Sequence, residues 1–282
     1  MNMFLPVSVR QDPARCALEA RAVRIRRLAL EMVTRACASH IGSALSIADI
    51  VAALYGEVLR VDPTDPAWQA RDRLLLSKGH ACVIVYAALA DAGFFPLDWL
   101  ESFARDGSDL MSHISHKVPG VDFSAGSLGH GLPFGTGKAL AAKKQRKDWR
   151  TFVILGDGEM AEGSNWEAMM FAAHHGLDNL VGIIDYNKLQ SLTTVEQTLR
   201  IEPLADKIRA FGWSVREVDG HDIRAVSHEL STAPWEKGKP SMLIAHTVKG
   251  KGVRFMENEV AWHYRNPSEE QLALAIAELG DA

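Results

Sequence analysis

The chain has 282 residues, 31 Lys plus Arg against 35 Asp plus Glu, a formal net charge of -4 and 47% hydrophobic residues. That length and apolar content suffice to bury a sizeable core, and no apolar stretch approaches the roughly 20 residues that cross a bilayer. The near-neutral balance, with no long basic run, excludes the clustered cations that a phosphate backbone demands, so neither nucleic acid nor membrane is an expected partner.

Met1 to Arg10 carries too short an apolar piece for a secretory core and is followed at once by Asp12 and Pro13, which reads as a cytoplasmic protein. From Ala14 to Cys37 the residues Leu18, Val23, Ile25, Leu28, Met32 and Val33 recur near helical spacing, predicting an amphipathic helix. A second helix is predicted from Ser46 to Leu59, then a turn-rich link through Pro63 and Pro66. A short buried strand follows from Arg73 to Ser77, a turn at Gly79 and a helix from Ala81 to Ala92. Arg105 to Gly126 reads as a long loop rich in Ser, Gly and His, and loops of that length inside a domain are usually functional. Beyond it come a helix from Leu128 to Arg146, strand Thr151–Leu155, helix Ser164–His175 and strand Leu180–Asp185. The series continues with helix Ala205–Phe211, strand Trp213–Val218, helix Ile223–Ser231 and strand Met242–His246. Such alternation predicts an α/β fold with a parallel sheet covered by helices on both faces. One domain over residues 1–282, with a helical extension at its N-terminus, is the simplest organisation. The three cysteines, Cys16, Cys37 and Cys82, are odd in number and far apart, as expected of reduced packing residues.

The sharpest local feature is Gly156-Asp157-Gly158, directly after the apolar run Phe152-Val153-Ile154-Leu155. Two glycines allow a tight turn and the close approach of a phosphate, while the carboxylate projects from the carboxyl end of the strand. Asn187, in Asp185-Tyr186-Asn187-Lys188, ends the next apolar strand. A strand, helix and returning parallel strand take about 30 residues, so Asp157 and Asn187 should lie side by side at one sheet edge. Mg²⁺ suits that geometry: the Asp157 carboxylate, the Asn187 amide oxygen, a backbone carbonyl such as that of Leu189, and the oxygens of a bound diphosphate are all hard donors.

This pairing resembles the thiamine diphosphate enzymes, and further segments are similar to the transketolase family in that family's order. They are Ser39-His40-Ile41-Gly42, Leu76-Ser77-Lys78-Gly79-His80-Ala81, Pro119-Gly120-Val121-Asp122, Gly126-Ser127-Leu128-Gly129-His130-Gly131 and Gly156-Asp157-Gly158-Glu159-Met160-Ala161-Glu162-Gly163. The resemblance runs from about Arg27 to His263 and implies the diphosphate-binding domain of the thiamine diphosphate-binding fold, with thiamine diphosphate and Mg²⁺ as cofactors.

The resemblance also implies roles. His40 would lie over the reactive thiazolium and touch donor hydroxyls, His80 would contact the diphosphate side, and His113 would hold the donor's C1 hydroxyl, with His116 as its near competitor. His263 would stand near diphosphate and substrate, Gly126 and Leu128 would line the cofactor ring, and Glu162 would join two active sites through a proton network. Catalytic roles thus fall on His40, His113, His263 and Glu162; cofactor contacts on His40, His80, Gly126, Leu128, Gly156, Asp157, Gly158, Asn187 and His263; and metal contacts on Asp157, Asn187 and Leu189. Imidazoles, with ordinary pKa values near 6.5, suit proton transfer to and from donor hydroxyls. The chain departs from the family in having Ile41 where Pro is usual, His130 where Gln is usual, and Trp262-His263-Tyr264-Arg265 near its end.

In the family a pyrimidine-binding domain and a third domain follow, and neither is found here. The resemblance therefore implies the N-terminal subunit of a split transketolase in carbohydrate metabolism of pentose phosphate type. Two copies of it would pair with two of a separate C-terminal subunit, and the assembly would move a two-carbon ketol unit from a ketose to an aldose, either of them a phosphate. The alternatives are the α subunit of a 2-oxoacid dehydrogenase, a relative of 1-deoxyxylulose-phosphate synthase, and a non-catalytic diphosphate-binding regulatory module. His40, His80 and His113 speak for the sugar-handling branch.

Overall fold

Each apolar run placed between helices becomes a strand of one parallel sheet, as the alternation predicts. In this computed structural model, which describes residues 13–280, the strands are β1 (Arg73–Leu76), β2 (Thr151–Gly156), β3 (Leu180–Tyr186), β4 (Ser214–Asp219) and β5 (Ser241–His246). They lie in the order β1-β2-β3-β5-β4, every neighbouring pair parallel. The sequence reading of Met1 to Arg10 lies outside the described residues. No described helix is long and apolar enough to cross a membrane.

Alternate side chains along each strand point to opposite faces and feed separate cores. Leu74, Leu76, Phe152, Ile154, Val181, Ile183 and Leu243 pack on one face, against α1 (Pro13–Ala36), α3 (Ala48–Ala53), α4 (Cys82–Asp91) and α9 (Ile223–Ser231). Leu75, Val153, Leu155, Leu180, Ile184, Met242 and Ile244 pack on the other, with α5 (Gly131–Lys144), α6 (Gly163–His174) and α8 (Leu204–Ala210). Burial on both faces explains why the inner strands read as continuous hydrophobic runs. β4 lies at an edge and is charged there, with Arg216 and Glu217 exposed, which discourages pairing with another chain.

Several local features differ from the sequence reading. The helix predicted from Ser46 to Leu59 divides into α3 and a π-helical turn over Leu54–Val58, closed by a 2.9 Å bond from the Leu59 N–H to the Leu54 carbonyl. Gly56 in that turn lets α1 approach closely, since a Cβ there would meet Leu18 Cδ2 at 2.4 Å. Between His40 and that helix the chain forms the short α2 (Ile41–Leu45), and near the end it forms α10 (Glu269–Leu279); neither is anticipated from the hydrophobic pattern. Another short helix, α7 (Val195–Thr198), follows the Asn187 loop. The segment from Arg105 to Gly126 contains neither helix nor strand, as predicted.

Candidate active site

Parallel strands deliver their following loops to one edge of the sheet, and the candidate residues leave the carboxyl ends of β1, β2, β3 and β5. Gly156 is in register with Asp185, so Asp157 and Asn187 leave adjacent strands side by side, as expected. The Asp157 N–H donates to the Asp185 carbonyl at 3.2 Å. The Asp157 carboxylate accepts from the backbone N–H groups of Gly158 and Lys188. Asn187 directs its amide nitrogen to Asp185 Oδ2 at 2.8 Å, which leaves Oδ1 on the loop side, where the Leu189 N–H meets it at 3.0 Å.

Behind these residues lies a charge network that sequence reasoning missed. Asp185 is fully buried and accepts from Lys78 Nζ at 2.5 Å, Ser46 Oγ at 2.7 Å, Asn187 Nδ2 and Thr247 Oγ1. Burial alone would raise its pKa, but the Lys78 ammonium and the donated hydrogen bonds outweigh that and hold it below the usual carboxylate value. Asp157 goes the other way: burial and the nearby Asp185 charge push it up to about 7 against the donors around it. Glu159 is also buried and binds three segments together, accepting from Ser77 Oγ, the Gly129 N–H and the Gly156 N–H. Its carboxyl is raised by burial, against those donated bonds.

Lys78, Gly156, Asp157, Gly158, Glu159 and Asn187 line a cavity of about 270 Å³, together with Ser43, His80, Leu128, Leu189, Gln190, Lys249 and His263, while Asp185 lies behind it. Lys249 is buried, with Nζ 3.0 Å from the Gln190 carbonyl and 3.1 Å from His263 Nδ1. Burial and the charge of Lys78 pull its pKa down to about 8. His40, His80, His113 and His263 cluster, His80 and His263 lining the cavity and His40 and His113 lying beyond its lining, with ring centroids separated by 5.1 Å (His40 to His80), 5.8 Å (His40 to His113) and 5.0 Å (His40 to His263). Burial, then neighbouring imidazoles and lysines, lowers His40 to about 4; burial, Lys249 and His40 lower His263 to about 3. His80 is lowered well below its usual value by burial first, and His113 is lowered by burial. The cluster is therefore neutral at pH 7.

His40 has φ 75°, a left-handed conformation rarely taken by residues with a Cβ, and such strain is a mark of functional sites. Its backbone N–H donates to the His263 carbonyl at 2.9 Å, and the Gly250 N–H donates to the Gly42 carbonyl at 3.0 Å. Of the two histidines competing for one role, His113 joins the cluster, whereas His116 is exposed and bonds Ser124 Oγ at 2.7 Å. Gly126 is exposed and lies outside the cavity lining, against a shallow surface depression shared with Phe123 and Phe134. Glu162 is exposed at the start of α6, also outside the lining.

The lining is compatible with an anionic cofactor held through a cation. Two lysines and several loop segments converge on it, and Gln190 Nε2 is buried there without a hydrogen-bond partner among the described residues. A Cβ on Gly158 would come 2.9 Å from Gln190 Cγ, so glycine keeps this turn open. Among the described residues no group of three or more His, Cys, Asp or Glu side chains could hold a metal. A cation at Asp157 would thus draw on an amide oxygen, a backbone carbonyl and oxygens of the bound ligand, which is the donor set of Mg²⁺ rather than of zinc.

The family of the transketolase thiamine diphosphate-binding domain matches residues 18–281, and the chain belongs to that family. It is 42% identical over 263 residues to the 6-deoxy-6-sulfo-D-fructose transketolase subunit of Clostridium sp. (strain MSTE9), covering 93% of this chain and 96% of that one. It is 42% identical over 266 residues to an apulose-4-phosphate transketolase subunit of Actinobacillus succinogenes, covering 94% and 96%. Among solved structures, the transketolase of Campylobacter jejuni superposes with a TM-score of 0.88 at 30% identity, covering 94% of this chain and 43% of that one. The transketolase of Leishmania mexicana gives 0.86 at 32%, covering 93% and 41%. The chain thus spans about two fifths of those transketolases but nearly the whole of the two subunits. The expected sheet fold and thiamine diphosphate-binding family are borne out.

Proposed function

We propose that this chain is the N-terminal subunit of a split transketolase, a transferase that moves a two-carbon ketol unit from a ketose to an aldose together with a separate C-terminal subunit. The observation that carries the reading is the cluster of four neutral histidines beside a cavity suited to a diphosphate. The relatives named as transketolase subunits, matched almost end to end, support a partner chain; two copies of each would form the assembly. Residues 1–282 would then form one diphosphate-binding domain with a helical N-terminal extension, working in the cytoplasm.

Thiamine diphosphate, when bound, supplies the carbanion-stabilising chemistry. Asp157, the Asn187 amide oxygen and the Leu189 carbonyl would hold Mg²⁺, with Gly156 and Gly158 keeping the backbone clear and His80 facing the diphosphate. Leu128, with Gly126 on the neighbouring loop, would border the cofactor ring. His40 has Nδ1 3.0 Å from Ser39 Oγ, which reserves Nε2 for a donor hydroxyl. The lowered values near 4 and 3 make His40 and His263 weak bases, unlike the imidazoles near 6.5 expected from the sequence, so His40, His113 and His263 would orient donor hydroxyls by hydrogen bonding, His263 through Nε2 because its Nδ1 faces the Lys249 ammonium. Glu162, on the surface, would meet a second protomer rather than the substrate.

Calorimetric titration of thiamine diphosphate with Mg²⁺, into the chain alone and with a candidate C-terminal subunit, tests the reading. Binding that tightens with the second subunit, is lost in Asp157→Ala and accompanies ketol transfer supports it. Absence of binding in every mixture overturns it.

A further inference from the structure

Lys249 lies on the loop after β5, and that loop is tied at several points, among them the Thr247 N–H to the Tyr186 carbonyl at 3.3 Å and the Asn258 N–H to the Lys249 carbonyl at 2.9 Å. Thr247 Oγ1 donates to Asp185, the Gly250 N–H donates to the Gly42 carbonyl, and between them the Val248 N–H donates to His221 Nε2 at 2.9 Å. The tie to His221 is the unusual one. A backbone N–H can only donate, so His221 Nε2 must be unprotonated and the ring's one hydrogen must sit on Nδ1. Nδ1 lies 2.7 Å from Asp49 Oδ2. Asp49 in turn takes a two-pronged bond from Arg26, 2.9 Å from Nη1 to Oδ1 and 2.5 Å from Nη2 to Oδ2. Asp49 and Arg26 are both buried, on α3 and α1, far in sequence from the loop they control.

We propose that His221, oriented by Asp49 and Arg26, is a positioning residue that fixes Val248 and so aims the Lys249 ammonium into the cavity. The inference rests on the reading of that cavity as the thiamine diphosphate site. A buried ammonium contributes to binding an anion only if its stem is held, because a free lysine side chain loses much rotamer freedom on ordering. The Lys249 ammonium is held by the Leu189 and Gln190 carbonyls and His263 rather than by a carboxylate of the described residues, so its position depends on the backbone that carries it. Of the ties on that loop, the one at Val248 ends on a side chain whose orientation is set by Asp49 and Arg26, on α3 and α1.

A double-mutant cycle read by calorimetry tests this, with thiamine diphosphate and Mg²⁺ titrated into the full chain in whichever condition above gives wild-type binding. His221→Ala is expected to weaken binding roughly tenfold, the range usual for partners that orient a ligating group. His221→Gln carries an oxygen acceptor for Val248 and an amide donor for Asp49, and should recover most of that loss. Lys249→Met should weaken binding at least as much, and adding His221→Ala to it should produce no further loss. A purely structural role for His221 predicts additive losses instead. Additivity, or unchanged affinity in a folded His221→Ala, overturns the proposal while leaving the cofactor site intact. Failure of the wild-type chain to bind under any condition overturns the underlying reading. Should His221→Ala not fold, the nitrogen-15 spectrum of the wild-type imidazole decides: a proton on Nε2 rather than Nδ1 overturns the proposal, and one on Nδ1 together with near-normal binding in His221→Gln supports it.

Discussion

Lys78 and Asp185 form a salt bridge of 2.5 Å with side chains only 2% and 0% exposed, reaching across 107 residues from the end of β1 to the end of β3. This pair fastens the two loops that bound the cavity. Removing one partner leaves a buried charge unmatched, which typically destabilises by about 3–5 kcal/mol. Lys78→Met and Asp185→Leu singly should each lower the urea midpoint sharply, whereas the double variant should recover much of the loss. Equal losses in single and double variants would show that packing rather than charge pairing dominates.

Asp157 has a pKa raised to about 7 by burial and by Asp185. A raised carboxyl binds its proton more tightly when folded, so its penalty is absent below the ordinary carboxylate value, grows as pH rises and is complete above about 7. Asp157→Asn should therefore stabilise the ligand-free chain at pH 8 by on the order of 2 kcal/mol, after allowing for weaker acceptance from two backbone N–H groups. The same variant should lose Mg²⁺-dependent binding of thiamine diphosphate. Denaturant midpoints at pH 5 and pH 8 check the first half, and calorimetry checks the second.

The histidine cluster gives the opposite slope. His40 and His263 are lowered to about 4 and 3, facing one another, His80, His113, Lys78 and Lys249. Above the ordinary value near 6.5 neither state is protonated and nothing is lost. As pH falls below it the unfolded chain takes up protons that the folded cavity refuses, so stability declines until about pH 4 to 3. His40→Asn should flatten the dependence of the unfolding midpoint between pH 6.5 and 4.5. An unchanged slope would mean that other groups control acid unfolding.

Gly79 sits under the long loop that carries His113. A Cβ there would meet the Ala125 carbonyl oxygen at 2.4 Å, and the Gly79 carbonyl accepts from the Ile114 N–H at 3.0 Å. Gly79→Ala must push backbone against backbone, a strain of roughly 1–3 kcal/mol. It should lower ketol-transfer activity by displacing His113, with a smaller effect on cofactor affinity. Equal loss of both would place the damage at the diphosphate side instead.

What the sequence reveals depends on how local the cause is. Gly156-Asp157-Gly158 and Asn187 are legible because the length of one strand-helix-strand unit dictates their meeting. α10 is announced by Ser268 and Gln271, which form reciprocal side-chain to backbone bonds at its start, yet it goes unread when hydrophobic period alone is followed. The pairing of Lys78 with Asp185, and of His221 with Asp49 across 172 residues, leaves no spacing signal, since both arise from the packing of distant elements. The same holds for Glu159, whose motif is visible while its three donors come from separate loops.

The bonds from the His40 N–H to the His263 carbonyl and from the Gly250 N–H to the Gly42 carbonyl join the early part of the chain to its last quarter. A ribosome emits residues in order, so a nascent chain can pair β1, β2 and β3 long before Lys249 and His263 emerge. Such an intermediate has the Asp157 and Asn187 loops but lacks the wall that closes over them. Cofactor capture at the proposed site therefore requires the segment that carries Lys249 and His263, and chains truncated before that segment should be unable to sequester it.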